Sequence, residues 1–125
     1  RFLIPKIVEH FKARAPVIEL GNIDVARDFS DVRDVAEVYC VLAEHQPLSE
    51  SINLCSGTPL SLKECLDMVS MLSGHDIDVR VDPTLVRSHE LKRLSGDRSR
   101  LASIIQTTIP RPFEQTLAWM LNQAS

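Results

Sequence analysis

Two arginines and a carboxylate stand out for what they could grip. Arg27 lies in Gly21-Asn22-Ile23-Asp24-Val25-Ala26-Arg27-Asp28-Phe29, just past a turn, and Arg87 and Glu90 lie far downstream in Arg87-Ser88-His89-Glu90. Guanidinium forks hold phosphate oxygens in bidentate fashion and a carboxylate accepts from vicinal hydroxyls. The set is therefore what a ligand with a diphosphate and a ribose requires. Plainer readings stand beside this one. Arg27 also reads as a turn arginine bonded to a neighbouring carboxylate, with Asp28 bracing backbone amides or Arg27 itself. Asn22 reads as an ordinary turn residue, and Arg87 with Glu90 as a solvated pair three positions apart.

Other chemistries find little support. Glycine occurs only at positions 21, 57, 74 and 96, so neither a phosphate-cradling GxGxxG nor a P-loop is present, and there is no GxSxG elbow. The single tyrosine, Tyr39, has Ala43 four residues on, where a Tyr-Lys proton-transfer pair needs a lysine. Its place on an apolar stripe predicts core packing. No catalytic residue is therefore assigned. The four histidines show no HxxxH or HExxH spacing, and three cysteines with no CxxC pair suit neither a zinc site nor a disulfide framework. Cys40 and Cys65 fall on apolar helix faces, which predicts buried thiols in a reducing, cytoplasmic setting.

A chain of 125 residues, 44% of them hydrophobic, accommodates one domain with a modest core. The net charge of −3, with both signs mixed along the chain, gives no basic stripe for nucleic acid. No apolar run approaches the roughly 18 residues of a membrane span. The chain opens in mid-pattern at Arg1-Phe2-Leu3-Ile4 without an initiator Met, as expected of part of a larger protein.

The elements that must position the arginines follow from periodicity. Leu3, Ile4, Ile7, Val8 and Phe11 predict a helix closed by Pro16, and Val17 to Leu20 a short strand ending at Gly21. Val25 to Phe29 reads as extended. Ser30 or Asp31 caps a helix whose buried stripe is Val32, Val35, Ala36, Tyr39 and Ala43. Ser51 to Cys55 reads as a strand. Ser61-Leu62-Lys63-Glu64 is a capping box opening a helix with Leu62, Cys65, Leu66, Val69 and Leu72 inward and Gly74 as its stop. Ile77, Val79 and Val81 alternate with Asp78, Arg80 and Asp82, a strand with one wet face. Asp97 caps a short helix reaching Ile105. Pro112 opens the last helix at its first position, with Phe113, Leu117, Met120 and Leu121 inward and Trp119 packed. Strands alternating with helices define an α/β class, but strands this short make a thin sheet that is easier to stabilise against something larger.

Leu20-Gly21-Asn22, Arg27 to Ala36, Ile52 to Leu62, the stretch from Asp82-Pro83 through Arg87 and Glu90 to Leu101, and Pro112 to Leu121 together resemble the extended short-chain dehydrogenase/reductase superfamily, the NAD-dependent epimerases and dehydratases, over nearly the whole chain. Gly-Asn six residues ahead of Arg-Asp-Phe is most similar to the branch of GDP-mannose 4,6-dehydratase and GDP-4-keto-6-deoxymannose reductase. The resemblance implies that residues 1–125 form one small C-terminal substrate-binding lobe, with short strands and about five helices, lacking the Rossmann half. It implies that Arg27 and Arg87 hold the diphosphate of a nucleotide sugar, a GDP-sugar favoured. Glu90 would accept from the ribose hydroxyls, and Asn22 would sit near the base or its phosphate. NAD or NADP, the Gly-rich loop and the Tyr-Lys pair would belong to the Rossmann domain, so the lobe alone would bind no cofactor and have no turnover, and the parent enzyme would be a homo-oligomer. Two departures stand out: Ser88-His89 where the family usually has Pro and another residue before Glu, and Ile105-Gln106-Thr107 in place of Leu-Gly-Trp. The alternative expectation is a free-standing α/β module that acts through protein contacts.

Overall fold

The computed structural model describes residues 2–44, 51–86, 89–105 and 110–123. The chain runs α1 (Leu3–Lys12), β1 (Val17–Leu20), β2 (Ala26–Arg27), α2 (Val32–Ala43), β3 (Leu60–Ser61), α3 (Leu62–Ser73), β4 (Asp78–Val81), a 3-10 turn at Pro83–Leu85, β5 (Arg93–Leu94), α4 (Ser99–Ile104) and α5 (Phe113–Asn122). Among the described residues, five helices and five strands of two to four residues make the expected small α/β lobe. The strands form two separate sheets. In one, β1 and β4 run parallel with Val17 opposite Asp78 and Leu20 opposite Val81. In the other, β2 lies between antiparallel β3 and parallel β5, with Arg27 opposite both Leu60 and Leu94.

The main core is apolar and made mostly by helices. Ile7 and Phe11 of α1, Ile18 and Leu20 of β1, Cys65 and Val69 of α3 and Leu117 of α5 are all essentially inaccessible. Each such side chain contributes roughly 1.5–3 kcal/mol by leaving water. A smaller cluster of Val38, Leu101 and Ile105 joins α2 to α4. The punctuation of α3 follows the sequence closely. Ser61 Oγ accepts from the Glu64 amide at 3.1 Å, Glu64 Oε2 accepts from the Ser61 amide at 2.8 Å, and Gly74 closes the helix at φ 60°. Burial pushes the Cys65 thiol up to about 12, so it acts as a small hydrophobe.

Several expectations are corrected. The stripe predicted to bury α2 faces outward. Val32 and Tyr39 are about two-thirds exposed, Ala36, Cys40 and Ala43 are exposed too, and Val38 alone is buried. Periodicity reports that a helix has an apolar face, not which neighbour covers it. Tyr39 therefore does not pack in this core, and Cys40 is not a buried thiol. The segment 51–55 runs without ladder pairing, and the strand beside β2 comes from Leu60–Ser61 instead. Leu72 and Trp119, expected inward, are each 37% exposed. Pro112 stands just before α5 as its N-cap residue, and β5 carried no sequence signal because both of its residues are exposed.

Candidate functional site

The second sheet positions one guanidinium. Arg27 ends β2, and its side chain turns toward the segment leading into β5. There Nη1 donates to the carbonyl oxygens of Ala26 (2.9 Å) and Leu91 (2.8 Å), and Nη2 donates to Glu90 Oε1 at 3.0 Å. Both side chains are partly buried, 24% exposed for Arg27 and 19% for Glu90. In such surroundings the ion pair is screened less than a fully solvated one. The fold thus brings together two of the four residues singled out from the sequence. Arg87 lies outside the described residues. Asn22 behaves as the turn reading expects: its Oδ1 accepts from the Asp24 amide at 2.9 Å, closing an Asx-turn after β1, and it bonds to neither Arg27 nor Glu90.

Asp28 does not pair with Arg27. Its carboxylate points the other way and ties two loops to β2. Oδ1 accepts from the Ser56 amide (2.9 Å) and hydroxyl (2.6 Å), and Oδ2 from the amides of Gly57 (3.0 Å) and Gly96 (3.1 Å). Burial alone would raise its pKa, but the Ser56 hydroxyl and the three amides outweigh it and hold the carboxyl below its usual range. Gly96 must lack a side chain to enter this cage, because a Cβ there would stand 2.5 Å from Cys55 Sγ. Since Ser95-Gly96 follow β5 directly, Asp28 also fixes the strand that carries Leu91 and Glu90 to Arg27. The Cys55 thiol is raised by burial and by the neighbouring Asp28 charge, which opposes thiolate chemistry.

Two further polar clusters anchor α2 and had no sequence signal beyond the cap. Asp31 is buried at the N-terminus of α2. It accepts from the Arg33 amide (2.8 Å), from Arg33 Nε (2.9 Å) and Nη2 (2.6 Å), and from Thr116 Oγ1 (2.8 Å). The Arg33 contacts, chiefly, hold its carboxyl well below the usual carboxylate range against the opposing effect of burial. Arg33 in turn lies 4.4 Å over the Trp119 ring. Arg111 bonds both Asp34 and Glu37 of α2. Beside these clusters a hollow of about 390 Å³ opens between Phe29, Met68, Arg98 and Phe113, with Phe29 and Phe113 stacked at 5.1 Å. Neither Arg27 nor Glu90 lines it. Exposed Leu85, Val86, Leu91 and Leu94 lie on the chain segments to either side of Glu90. Among the described residues no group of three His, Cys, Asp or Glu is placed to hold a metal, and no helix is long and apolar enough to cross a membrane.

The class of this small α/β lobe follows from its likeness to known proteins. The family described as NAD dependent epimerase/dehydratase matches residues 1–55. GDP-6-deoxy-D-talose 4-dehydrogenase of Aggregatibacter actinomycetemcomitans is 31% identical over 104 residues, which are 83% of this chain and 35% of that protein. The crystal structure of a candidate epimerase from Burkholderia cenocepacia J2315 superposes with a TM-score of 0.93 at 47% identity, over 97% of this chain and 40% of that one. The structure of RMD from Pseudomonas aeruginosa complexed with NADPH gives a TM-score of 0.85 at 27% identity, over 96% and 41%. The chain belongs to the NAD-dependent epimerase/dehydratase family, the extended short-chain dehydrogenases/reductases. It spans about a third of the length of the curated relative and corresponds to a C-terminal part of these longer proteins.

Proposed function

We propose that this chain is the nucleotide-sugar-binding lobe of an NAD(P)-dependent dehydratase, reductase or epimerase acting on a GDP-sugar. Arg27 and Arg87 take the diphosphate, Glu90 accepts from the ribose hydroxyls, and Asn22 lies toward the base end. The observation that carries the reading is the meeting of Arg27 and Glu90 across 63 positions on one partly buried surface. On this reading, two groups that recognise adjacent parts of a nucleoside diphosphate are held side by side by the pairing of β2 with β5. The GDP-sugar relative favours guanosine over uridine. Part of the enzyme's specificity then comes from this lobe, because its polar groups are costly to leave unpaired by a wrong ligand.

Hydride transfer belongs to a separate Rossmann domain that binds NAD or NADP, and the lobe by itself carries no turnover and no cofactor. The outward stripe of α2 supports this division. It continues into a groove of about 290 Å³ lined by Pro5, Val32, Trp119 and Met120, an apolar surface suited to a second domain. The same stripe is what favours the second reading, a module that docks a separate protein. The enzyme is read as cytoplasmic and homo-oligomeric.

Calorimetry on the intact natural protein tests the proposal. GDP should bind more tightly than UDP, and Arg27→Ala and Arg87→Ala should each weaken GDP at least tenfold, about 1.4 kcal/mol. Unchanged GDP affinity in both variants defeats the reading. Failure of the protein to bind either nucleotide, together with tight capture of another protein on α2, establishes the docking module instead.

A further inference from the structure

The sheet of β1 and β4 ends in an open edge. The amides of Asp78 and Asp82 donate to the carbonyls of Pro16 and Leu20, and the register between them turns Arg80 the same way. Backbone polar groups alternate sides along a strand, so Ile77, Val79 and Val81 direct theirs away from β1. Among the described residues β1 is the only strand beside β4, and no hydrogen bond reaches the amides of Val79 and Val81. Side chains alternate as well. Ile77 and Val79 pack on the main core, while Asp78 and Arg80 are largely exposed on the opposite face and bond each other at 2.9 Å.

An edge blunted with charges of one sign repels its own copy, but β4 carries one charge of each sign. We infer that the β4 edge is a self-association surface whose partner is a second copy of this chain, paired antiparallel about a two-fold axis at Val79. Under that axis Val79 meets Val79 of the second copy, and the two exchange their outward backbone bonds, as do Ile77 and Val81. Asp78 stands opposite Arg80 of the second copy, so each carboxylate lies between its own guanidinium and the other chain's. Other registers are penalised. Moving the axis by one position sets Asp78 against Asp78 or Arg80 against Arg80. Moving it by two sets Asp78 against Asp76, or meets Pro83, which has no amide to give. Asp76 and Asp82 face each other just outside the paired stretch, but within their own chains they accept from Ser70 Oγ (2.6 Å) and the Thr84 amide (2.8 Å). The two-stranded sheet is thereby doubled, past the about three strands a sheet needs to stand without other support. This surface is independent of the nucleotide reading.

An edge this short buries less than the roughly 1,200 Å² of a standard stable interface, so the expected association is reversible, with a micromolar dissociation constant. Sedimentation equilibrium on the intact natural protein reads it. Asp78→Arg and Arg80→Asp each set like charges opposite one another and should weaken self-association about tenfold. The first variant has a wholly positive edge and the second a wholly negative one, so mixing them in equal amounts should restore the natural strength. A chain that had merely lost its fold would not be recovered by mixing. Val79→Pro removes an outward amide without touching the bonds to β1 and should weaken association at least as much as either charge variant. The inference is overturned if the natural protein does not self-associate, if either charge variant or Val79→Pro associates as the natural protein does, or if the mixture is no stronger than its components.

Discussion

Replacing Asp31 by alanine should unseat α2 from the rest of the lobe. The carboxylate does three things at once, and each has a separable magnitude. It caps α2 through the Arg33 amide, and loss of such a cap costs about 1 kcal/mol. It accepts the Thr116 hydroxyl, whose residue is only 6% exposed, and an unsatisfied buried hydroxyl costs about 1–3 kcal/mol. It also pairs with Arg33, whose side chain is 34% exposed, so solvent screening keeps this part small. The cap and the hydroxyl together make the expected loss about 2–4 kcal/mol. Urea unfolding followed by circular dichroism should show it as a lower midpoint with an unchanged slope. Adding Thr116→Val to Asp31→Ala should restore about 1 kcal/mol by removing the stranded hydroxyl. The pH dependence has a definite sign. The folded carboxyl titrates below its unfolded value of 3.8, so its contribution is complete at neutral pH and drains away as the pH falls through 3.8 toward the folded value. Asp31→Asn should lack that acid-side loss. A cost under about 1 kcal/mol for Asp31→Ala, or identical acid profiles for Asp31→Asn and the natural chain, would refute this account of how α2 is held.

Two smaller perturbations probe the backbone. Gly96→Ala pushes a Cβ to 2.5 Å from Cys55 Sγ and should destabilise the lobe by about 1–3 kcal/mol, read as a lower melting temperature. Arg14 holds φ 51° just past α1, where the amides of Arg14 and Ala15 return to the carbonyls of Phe11 and His10, so Arg14→Gly should raise stability by about 0.5–1 kcal/mol in the same measurement.

What could be read from the residues divides by the range of the interaction that fixes each feature. Ser61, Glu64 and Gly74 act within a turn or two, and the start and stop of α3 fall where their types place them. The α/β order of elements is similarly local. The direction of the α2 stripe is not, because Val32 and Tyr39 are apolar whatever lies opposite them, and only the packed chain reveals that both are largely exposed. The strand beside β2 was displaced from Ser51–Cys55 to Leu60–Ser61 for a related reason. β-Pairing is chosen by the partner edge, and Asp28 fastens Ser56 and Gly57 so that the following residues, not the preceding ones, reach it. At the site, Arg27 and Glu90 were legible as chemical types and their meeting was legible only through family resemblance. The Asp28 cage was half visible, since an aspartate beside backbone turns suggests amide bracing but not which amides. Arg111 gave no warning at all: its partners Asp34 and Glu37 lie 77 and 74 positions away.

The β2 ribbon has a temporal consequence. One neighbour, β3, is synthesised more than thirty residues after it, and β5 and two acceptors of Arg27, Leu91 and Glu90, follow more than sixty residues after. Contacts of such sequence separation close late, after local helices have formed. A nascent chain halted before Glu90 would already own α1 and α3 yet present Arg27 with no carbonyl or carboxylate from the far segment. The surroundings of Arg27 are in this sense finished only after synthesis has passed the loop that carries Glu90 and Leu91.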